Sequence, residues 1–224
     1  MAIFMATSME AKIKEILING SETLGIKLKE KQIYQFQLYL LRLKKWSHHI
    51  NLTGIKTERD IVIKHFLDSL TIFSFLKPRW ELLDIGTGAG FPGIPLKIAL
   101  PSLKLTLVEA KQKKVVFLKE IKRLLELKDI EIIQTHLPSP LLSKKTFNVV
   151  VGRAVAPLTE YIRLALPHVT NQGLLIIMRG GKDNKKEIEQ ICKKYDLSIA
   201  IQKSFMLPFS NIKREVIALK KLKS

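Results

Sequence analysis

Only one of the 224 residues is a cysteine, Cys192, so no intramolecular disulfide can form, and no Cys/His spacing suggests a zinc site. Acidic residues are scarce as well: 20 Asp and Glu stand against 38 Lys and Arg, a formal charge of +18. Such a surface attracts polyanions and repels basic partners, which makes nucleic acid the natural ligand class. A Lys-rich proteome can raise the charge in the same way, and 30 of the 38 basic residues are Lys, so composition leaves both readings open. Long apolar runs are missing too. Nothing approaches a membrane span, and the first ten residues lack the basic start and apolar segment of a signal peptide. With 46% hydrophobic residues the chain is expected to be globular, cytoplasmic and free of structural metal. It is long enough for one core, with or without an appendage.

The most informative segment runs from Leu82 to Pro95, Leu-Leu-Asp-Ile-Gly-Thr-Gly-Ala-Gly-Phe-Pro-Gly-Ile-Pro. An apolar run ending in Asp84 enters closely spaced glycines and then a helical pattern, which reads as strand, turn and helix start. Glycines tolerate positive φ and bring no Cβ against a ligand, and a helix N-terminus offers free N–H groups. Pro92 and Pro95 suit a first helical turn. Gly88, Gly90 and Gly93 satisfy the spacing of dinucleotide-binding folds, with Glu109 placed as a ribose acid, so a nicotinamide or flavin oxidoreductase is one reading. Asp84 ahead of Gly86 gives D-x-G-x-G-x-G, which resembles the first motif of class I S-adenosylmethionine (SAM) methyltransferases. In such a fold Asp84, Gly86, Gly88, Gly90, Phe91 and Glu109 surround the ligand; Glu109 can otherwise be a solvated loop acid or a helix N-terminal charge.

Periodicity predicts helices over Glu10 to Leu24 and Glu30 to Ser47. A third follows Thr57, whose hydroxyl can cap it, with Ile61, Phe66, Leu70 and Phe73 on its buried side. Residues 1–79 are expected to form a helical cap on a core of residues 80–224, because no Gly/Ser/Pro-rich linker separates the two. Strands and helices then alternate: Glu81 to Ile85, a helix to Leu100, Leu103 to Glu109, a helix over Lys111 to Leu127, and Ile130 to Gln134. The second half offers Phe147 to Val151, a helix over Pro157 to Leu166, Leu174 to Met178, a helix over Asn184 to Tyr195, and strands Leu197 to Phe205 and Glu215 to Leu219. The short link between the last two permits only an antiparallel pair. The expected fold is α/β and Rossmann-like, with a mostly parallel seven-stranded sheet, an antiparallel terminal strand and an N-terminal helical cap.

Enzymes that methylate exocyclic amines of adenine or cytosine commonly carry N/D-P-P-Y/F after the fourth strand, where this chain reads Val151-Gly152-Arg153-Ala154-Val155-Ala156-Pro157. Methylating carbon 5 of a pyrimidine needs a cysteine nucleophile, and Cys192 lies in a late helical pattern. Attack by an available lone pair, as at guanine N7, needs positioning more than a general base.

Four segments resemble the glucose-inhibited division protein B family, the bacterial small-subunit rRNA guanine-N7 methyltransferases. They are Trp46-Ser47-His48-His49-Ile50-Asn51-Leu52-Thr53, Lys64-His65-Phe66-Leu67-Asp68-Ser69-Leu70, the glycine turn through Leu96, and Gly152-Arg153-Ala154. The resemblance implies SAM as donor and 16S rRNA, guanosine 527 in the usual rRNA numbering, as acceptor, free or in the small ribosomal subunit. No membrane partner is expected, and the expected state is a monomer. Carried over by position, it places Gly86, Phe91, Leu137, Pro138 and Arg153 at the cofactor, with Glu109 as the ribose acid. It also places Asn51, His65, Asp68 and Arg153 at the acceptor pocket. Asn51 with Thr53 can instead shape a turn, His65 with Asp68 can be a local pair fixing helix packing, and Arg153 can be a structural ion pair. Thr135-His136-Leu137-Pro138-Ser139 departs from the family's usual Arg-Ala-Glu-Glu, and Arg179 stands where the family more often has Lys. A noncatalytic RNA-binding or assembly factor on the same fold is the alternative from outside enzymology.

Overall fold

Strands separated by helices must cross over a sheet to pair in parallel, and here they do. In the computed structural model, described over residues 10–48, 50–153, 156–180 and 185–222, seven strands form one sheet in the order β3-β2-β1-β4-β5-β7-β6. They are β1 (Glu81–Ile85), β2 (Lys104–Glu109), β3 (Ile130–Gln134), β4 (Phe147–Gly152), β5 (Val169–Gly180), β6 (Leu197–Met206) and β7 (Lys213–Lys221). β1 to β5 run parallel, and β7 lies antiparallel to both β5 and β6. The order reverses between β1 and β4, the place where open parallel sheets leave a crevice beyond their strand ends.

Two strands run longer than the expected Leu174 to Met178 and Glu215 to Leu219. β5 continues to Gly180 because β7 keeps pairing with it as far as Gly180 with Arg214. This pairing carries the first residues of the reversed strand to the C-terminal ends of the parallel ones.

The helices are α1 (Ala11–Thr23), α2 (Glu30–Ser47), a continuous helical stretch α3, then α4 (Gly93–Ala99), α5 (Gln112–Leu124), α6 (Leu158–Ala165) and α7 (Lys185–Lys194). α3 is α-helical at Glu58–Ile61, π-helical over Val62–Leu67 and α-helical again at Asp68–Leu70. Thr57 caps it, its hydroxyl accepting the Asp60 N–H at 3.1 Å. The π segment is not legible in the apolar spacing, and Phe73, expected on the buried side of this helix, lies beyond its end in a 3-10 turn, half-buried while Ile72 and Phe75 are buried. The expected start of the last helix at Asn184 lies outside the described residues.

The first eighty residues share one apolar cluster with the sheet: Leu17, Phe36, Tyr39, Leu40, Leu43 and Phe66 join Leu82, Leu105, Val149 and Ile176. α2 also completes the open ends of two core helices, whose last carbonyls have no partner within the helix. Gln32 Nε2 donates to the carbonyls of Ile98 and Ala99 at 2.7 and 3.0 Å, and Gln35 Nε2 donates to that of Leu125 at 2.7 Å. Two buried glutamines that satisfy three carbonyls fix α2 against α4 and α5. Gly20 on α1 lets the π segment approach, since a Cβ there would stand 2.3 Å from Leu67 Cδ1.

Candidate active site

The glycine turn joins β1 to α4 through backbone that only glycine adopts readily, with φ of +62° at Gly86, +62° at Gly88 and +104° at Gly90. Asp84 braces it from behind. Its Oδ2 accepts the Thr87 hydroxyl at 2.6 Å and the Gly93 N–H at 2.8 Å, while Oδ1 is buried with no partner. Complete burial raises its pKa to about 7 against these hydrogen bonds. Glu109, at the end of β2, accepts the Gly88 N–H at 2.9 Å and the Lys111 N–H at 2.9 Å, one on each oxygen. Each oxygen retains an acceptor site, which suits two ribose hydroxyls.

The expected ligand shell divides into two layers. Gly86 is exposed and Gly88 half-exposed, with open space where a Cβ at Gly88 would sit except for Lys114 Nζ at 3.8 Å. Asp84, Gly90 and Phe91 are buried, and so is Glu109, so Gly86 and Gly88 are the residues of the expected shell that are open from outside. A Cβ at Gly90 would meet Ile94 Cγ1 at 2.6 Å and Tyr39 Oη at 2.8 Å, so this glycine serves close packing under α2. Tyr39 of α2, which the sequence reading did not single out, donates its hydroxyl to the Ala89 carbonyl and so holds the turn from the other side.

Phe91 links the turn to a second half of the site. It stacks on Tyr39 with centroids 5.5 Å apart and on His65 with centroids 4.4 Å apart. The guanidinium of Arg153 stands 5.3 Å from the Phe91 ring. Arg153, just past β4, donates from Nη1 to the Lys64 carbonyl and to Asp68 Oδ2, both at 3.1 Å, and from Nη2 to His65 Nδ1 at 2.8 Å. Guanidinium can only donate, so Nδ1 accepts and the ring proton sits on Nε2, directed at Thr53 Oγ1 2.6 Å away. Burial, and then the Arg153 charge, lower the His65 pKa to about 3, so the ring is neutral. The local His65–Asp68 pair expected from their spacing is replaced by a shared partner: both bind Arg153. Arg153 accordingly makes the ion pair that was its alternative reading, and it also lines a cavity.

That cavity, 710 Å³ in volume, is bounded by Lys64, His65 and Asp68 of α3, Gly152 and Arg153, Tyr161 of α6, Met178 and Arg179 of β5, and Arg214 of β7, among others. Arg214 is the functional candidate that the sequence reading missed, because nothing in a terminal strand pattern marks its first residues as facing a site. Asn51 is exposed and is not one of the lining residues. Thr53 Oγ1 accepts the Ile55 N–H at 3.1 Å, a turn formed by Thr53 and not by Asn51 with Thr53. His49 and Ala154 of the quoted motifs lie outside the described residues.

Residues 32–217 match the family described as rRNA small subunit methyltransferase G. The chain belongs to that family. It is 37% identical over 223 residues to ribosomal RNA small subunit methyltransferase G of Acetivibrio thermocellus, covering 96% of this chain and 90% of that one. It is 40% identical over 205 residues to the protein of the same name from Syntrophus aciditrophicus, covering 87% and 83%. Among solved structures, the fold is similar to that of a ribosomal protein L11 methylase from Lactobacillus delbrueckii subsp. bulgaricus, with TM-score 0.56, 18% identity and coverage of 76% and 81%. It is also similar to the M. jannaschii tRNA m1G37 methyltransferase, with TM-score 0.54, 20% identity and coverage of 70% and 49%.

As a small subunit methyltransferase G, the chain is a SAM-dependent rRNA methyltransferase with the class I fold, and the oxidoreductase reading falls. The segment Thr135 to Ser139 lies just beyond β3. Leu137 there is half-buried against a second apolar cluster, which contains Leu83, Val108, Val150 and Ile177, and Pro138 is exposed. Pro138 has no N–H to offer, so at this residue only its ring and its carbonyl are available to a ligand.

Proposed function

We propose that this methyltransferase transfers the methyl group of SAM to N7 of a guanosine in 16S rRNA, at position 527 in the usual rRNA numbering. The observation that carries the reading is that the exposed face of the glycine turn and the charged cavity open at the same end of the sheet, joined through Phe91, His65 and Arg153. The residues present fit the donor. Gly86 and Gly88 leave backbone open to it, Glu109 has acceptor sites for the ribose, and Leu137 with Pro138 offers a flat apolar side for the adenine.

Bound SAM supplies an electrophilic methyl, and its transfer forms the C–N bond at N7 as the C–S bond breaks, with no proton to remove. The chain's task is then orientation and exclusion of water. Neutral His65, held on both nitrogens and stacked on Phe91, is a poor base and a firm wall. Arg153, anchored by three acceptors, holds its charge at the junction of the two halves, within reach of the donor's carboxylate or the acceptor. Asn51, exposed beside the turn at Thr53, is placed to meet RNA outside the cavity. The enzyme is proposed to work as a cytoplasmic monomer on 16S rRNA or the small subunit; no described helix is long and apolar enough to cross a membrane.

Mapping the modified base tests this directly. N7-methylguanosine becomes cleavable after borohydride and aniline treatment, so primer extension on 16S rRNA from cells with and without the gene is expected to stop at one guanosine only when it is present. A methyl group on an exocyclic amine or a pyrimidine carbon would overturn the chemistry. An unmodified rRNA that still binds the protein would favour the assembly factor.

A further inference from the structure

The antiparallel strand explains how a residue near the end of the chain reaches the site. β7 enters the sheet at the C-terminal ends of the parallel strands, and Arg214, paired with Gly180, stands at the cavity. There Asp68, with 3% of its side chain exposed, faces two guanidinium groups. Its Oδ2 accepts from Arg153 Nη1 at 3.1 Å and its Oδ1 from Arg214 Nε at 2.8 Å; Arg214 Nη2 lies 3.5 Å from Oδ2. One carboxylate thus meets two permanent positive charges. Lys64 pairs with Asp60, and Arg179 lies 3.7 Å from both Glu187 and Glu215, so the surplus sits at Asp68.

The two arginines differ in what they have left. Arg153 is committed to Lys64, His65 and Asp68. Arg214 is held through Nε and weakly through Nη2, its Nη1 makes no hydrogen bond among the described residues, and 24% of its side chain is exposed. A planar fork, fixed at its base by a buried carboxylate and open at its tip, matches an oxyanion of phosphate geometry. We infer that Arg214, oriented by Asp68, binds a backbone phosphate of the RNA strand that carries the acceptor guanosine. It thereby sets how deeply that nucleotide enters the cavity, whose 710 Å³ accommodates one nucleotide. This rests on the functional reading above and adds the phosphate-binding group to it.

The test compares Arg214→Gln and Arg214→Lys with the unmodified enzyme, using 16S rRNA binding over a salt series, S-adenosylhomocysteine titration and thermal unfolding. Loss of one charge-assisted contact should weaken RNA binding of Arg214→Gln by about 10- to 100-fold. The slope of log affinity against log salt should fall by about 0.7, the contribution of one neutralised phosphate on a single strand. S-adenosylhomocysteine affinity should stay within about twofold. Arg214→Lys keeps the charge and loses the fork, so it should keep the salt slope while raising KM for RNA and, with the nucleotide seated less well, lowering kcat, which reads the site even if the Gln variant does not fold. An unchanged slope and affinity in Arg214→Gln would overturn the inference. So would a parallel loss of both ligands with a lowered Tm in either variant, because that marks a purely structural arginine. If the unmodified enzyme formed no methylguanosine in 16S rRNA, the functional reading would fail first, and this inference with it.

Discussion

The glycine-turn half of the site is made of backbone and of residues between Asp84 and Glu109, whereas the cavity half is made of side chains brought from α3, β4, β5 and β7. The first is held by short hydrogen bonds that backbone N–H groups of the turn donate to carboxylates, the second by long side chains crossing between elements. A backbone-built half tolerates little change in conformation but carries little net charge. A half built from side chains gathers charges beside the apolar lining of Ile55, Leu158, Ile177 and Met178, and it depends on each charge keeping its partner.

The sharpest way to break that contrast is at Asp68. Replacing it with Ala leaves Arg153 and Arg214 facing one another around a buried space, and removal of one partner from a buried charged cluster costs about 3–5 kcal/mol. Urea unfolding of Asp68→Ala should show a loss of this size. A loss below about 1 kcal/mol would mean that water screens the cluster as it does a surface pair.

The turn half should respond to volume and backbone instead. Gly90→Ala needs a positive φ and drives a Cβ to 2.6 Å from Ile94 Cγ1 and 2.8 Å from Tyr39 Oη, so it should lose roughly 2–4 kcal/mol. Gly88→Ala has the same backbone demand at φ +62° but open space, and should lose only about 1 kcal/mol. Equal losses at the two positions would show that strain alone, and not packing under Tyr39, governs the turn.

The same division explains what could be read from the sequence. The turn was legible because its chemistry is local: one apolar run, a terminal Asp84, glycines at fixed offsets and an acid one strand later all fall within a short window. Its layering was not, since D-x-G-x-G-x-G gives Gly86 and Gly90 the same letter and only the packing of Tyr39 separates them. The mostly parallel sense of the sheet and its antiparallel end followed from alternating elements and one short connection, but the strand order and the added length of β5 depend on pairing between distant segments. In the cavity, His65 and Asp68 were legible as a pair one turn apart. Their true partner, Arg153, and the π segment that presents them depend on tertiary contacts, and Arg214 had no local signal.

The two halves also carry buried titratable groups of opposite sign. His65 has a folded pKa of about 3 against an ordinary 6.5, so below 6.5 the unfolded chain takes up a proton that the folded one refuses, and stability falls as pH drops toward 3. Asp84 has a folded pKa of about 7 against 3.8, so the folded chain takes the proton first, and stability rises as pH drops from 7 toward 3.8. In the unmodified protein the two slopes oppose each other over much of the same range. His65→Gln should unmask Asp84 and become relatively more stable on acidification, and Asp84→Asn should unmask His65 and become relatively less stable, each by up to about 1.4 kcal/mol per pH unit. Denaturant midpoints at pH 7, 6 and 5 measure both slopes. Parallel curves for the unmodified protein and both variants would mean that neither group is held as the geometry implies.

The smallest effect is expected outside both halves, at Cys192. It lies on α7, half-buried against the second apolar cluster together with Tyr195, and burial pushes its thiol pKa upward, away from the reactive thiolate form. Glu187 of the same helix lines the cavity, whereas Cys192 does not. A methyl transfer that uses the N7 lone pair has no covalent enzyme intermediate, so the thiol has no step to perform. Cys192→Ala should lose no more than about 1 kcal/mol of stability, the scale of a small partly buried side chain, and should keep its turnover on 16S rRNA within a factor of two. If this variant folded normally and yet lost methylation, the acceptor would have to be a carbon that needs activation by a nucleophile. The contrast between a backbone-built donor half and a charged positioning half would then no longer account for the chemistry.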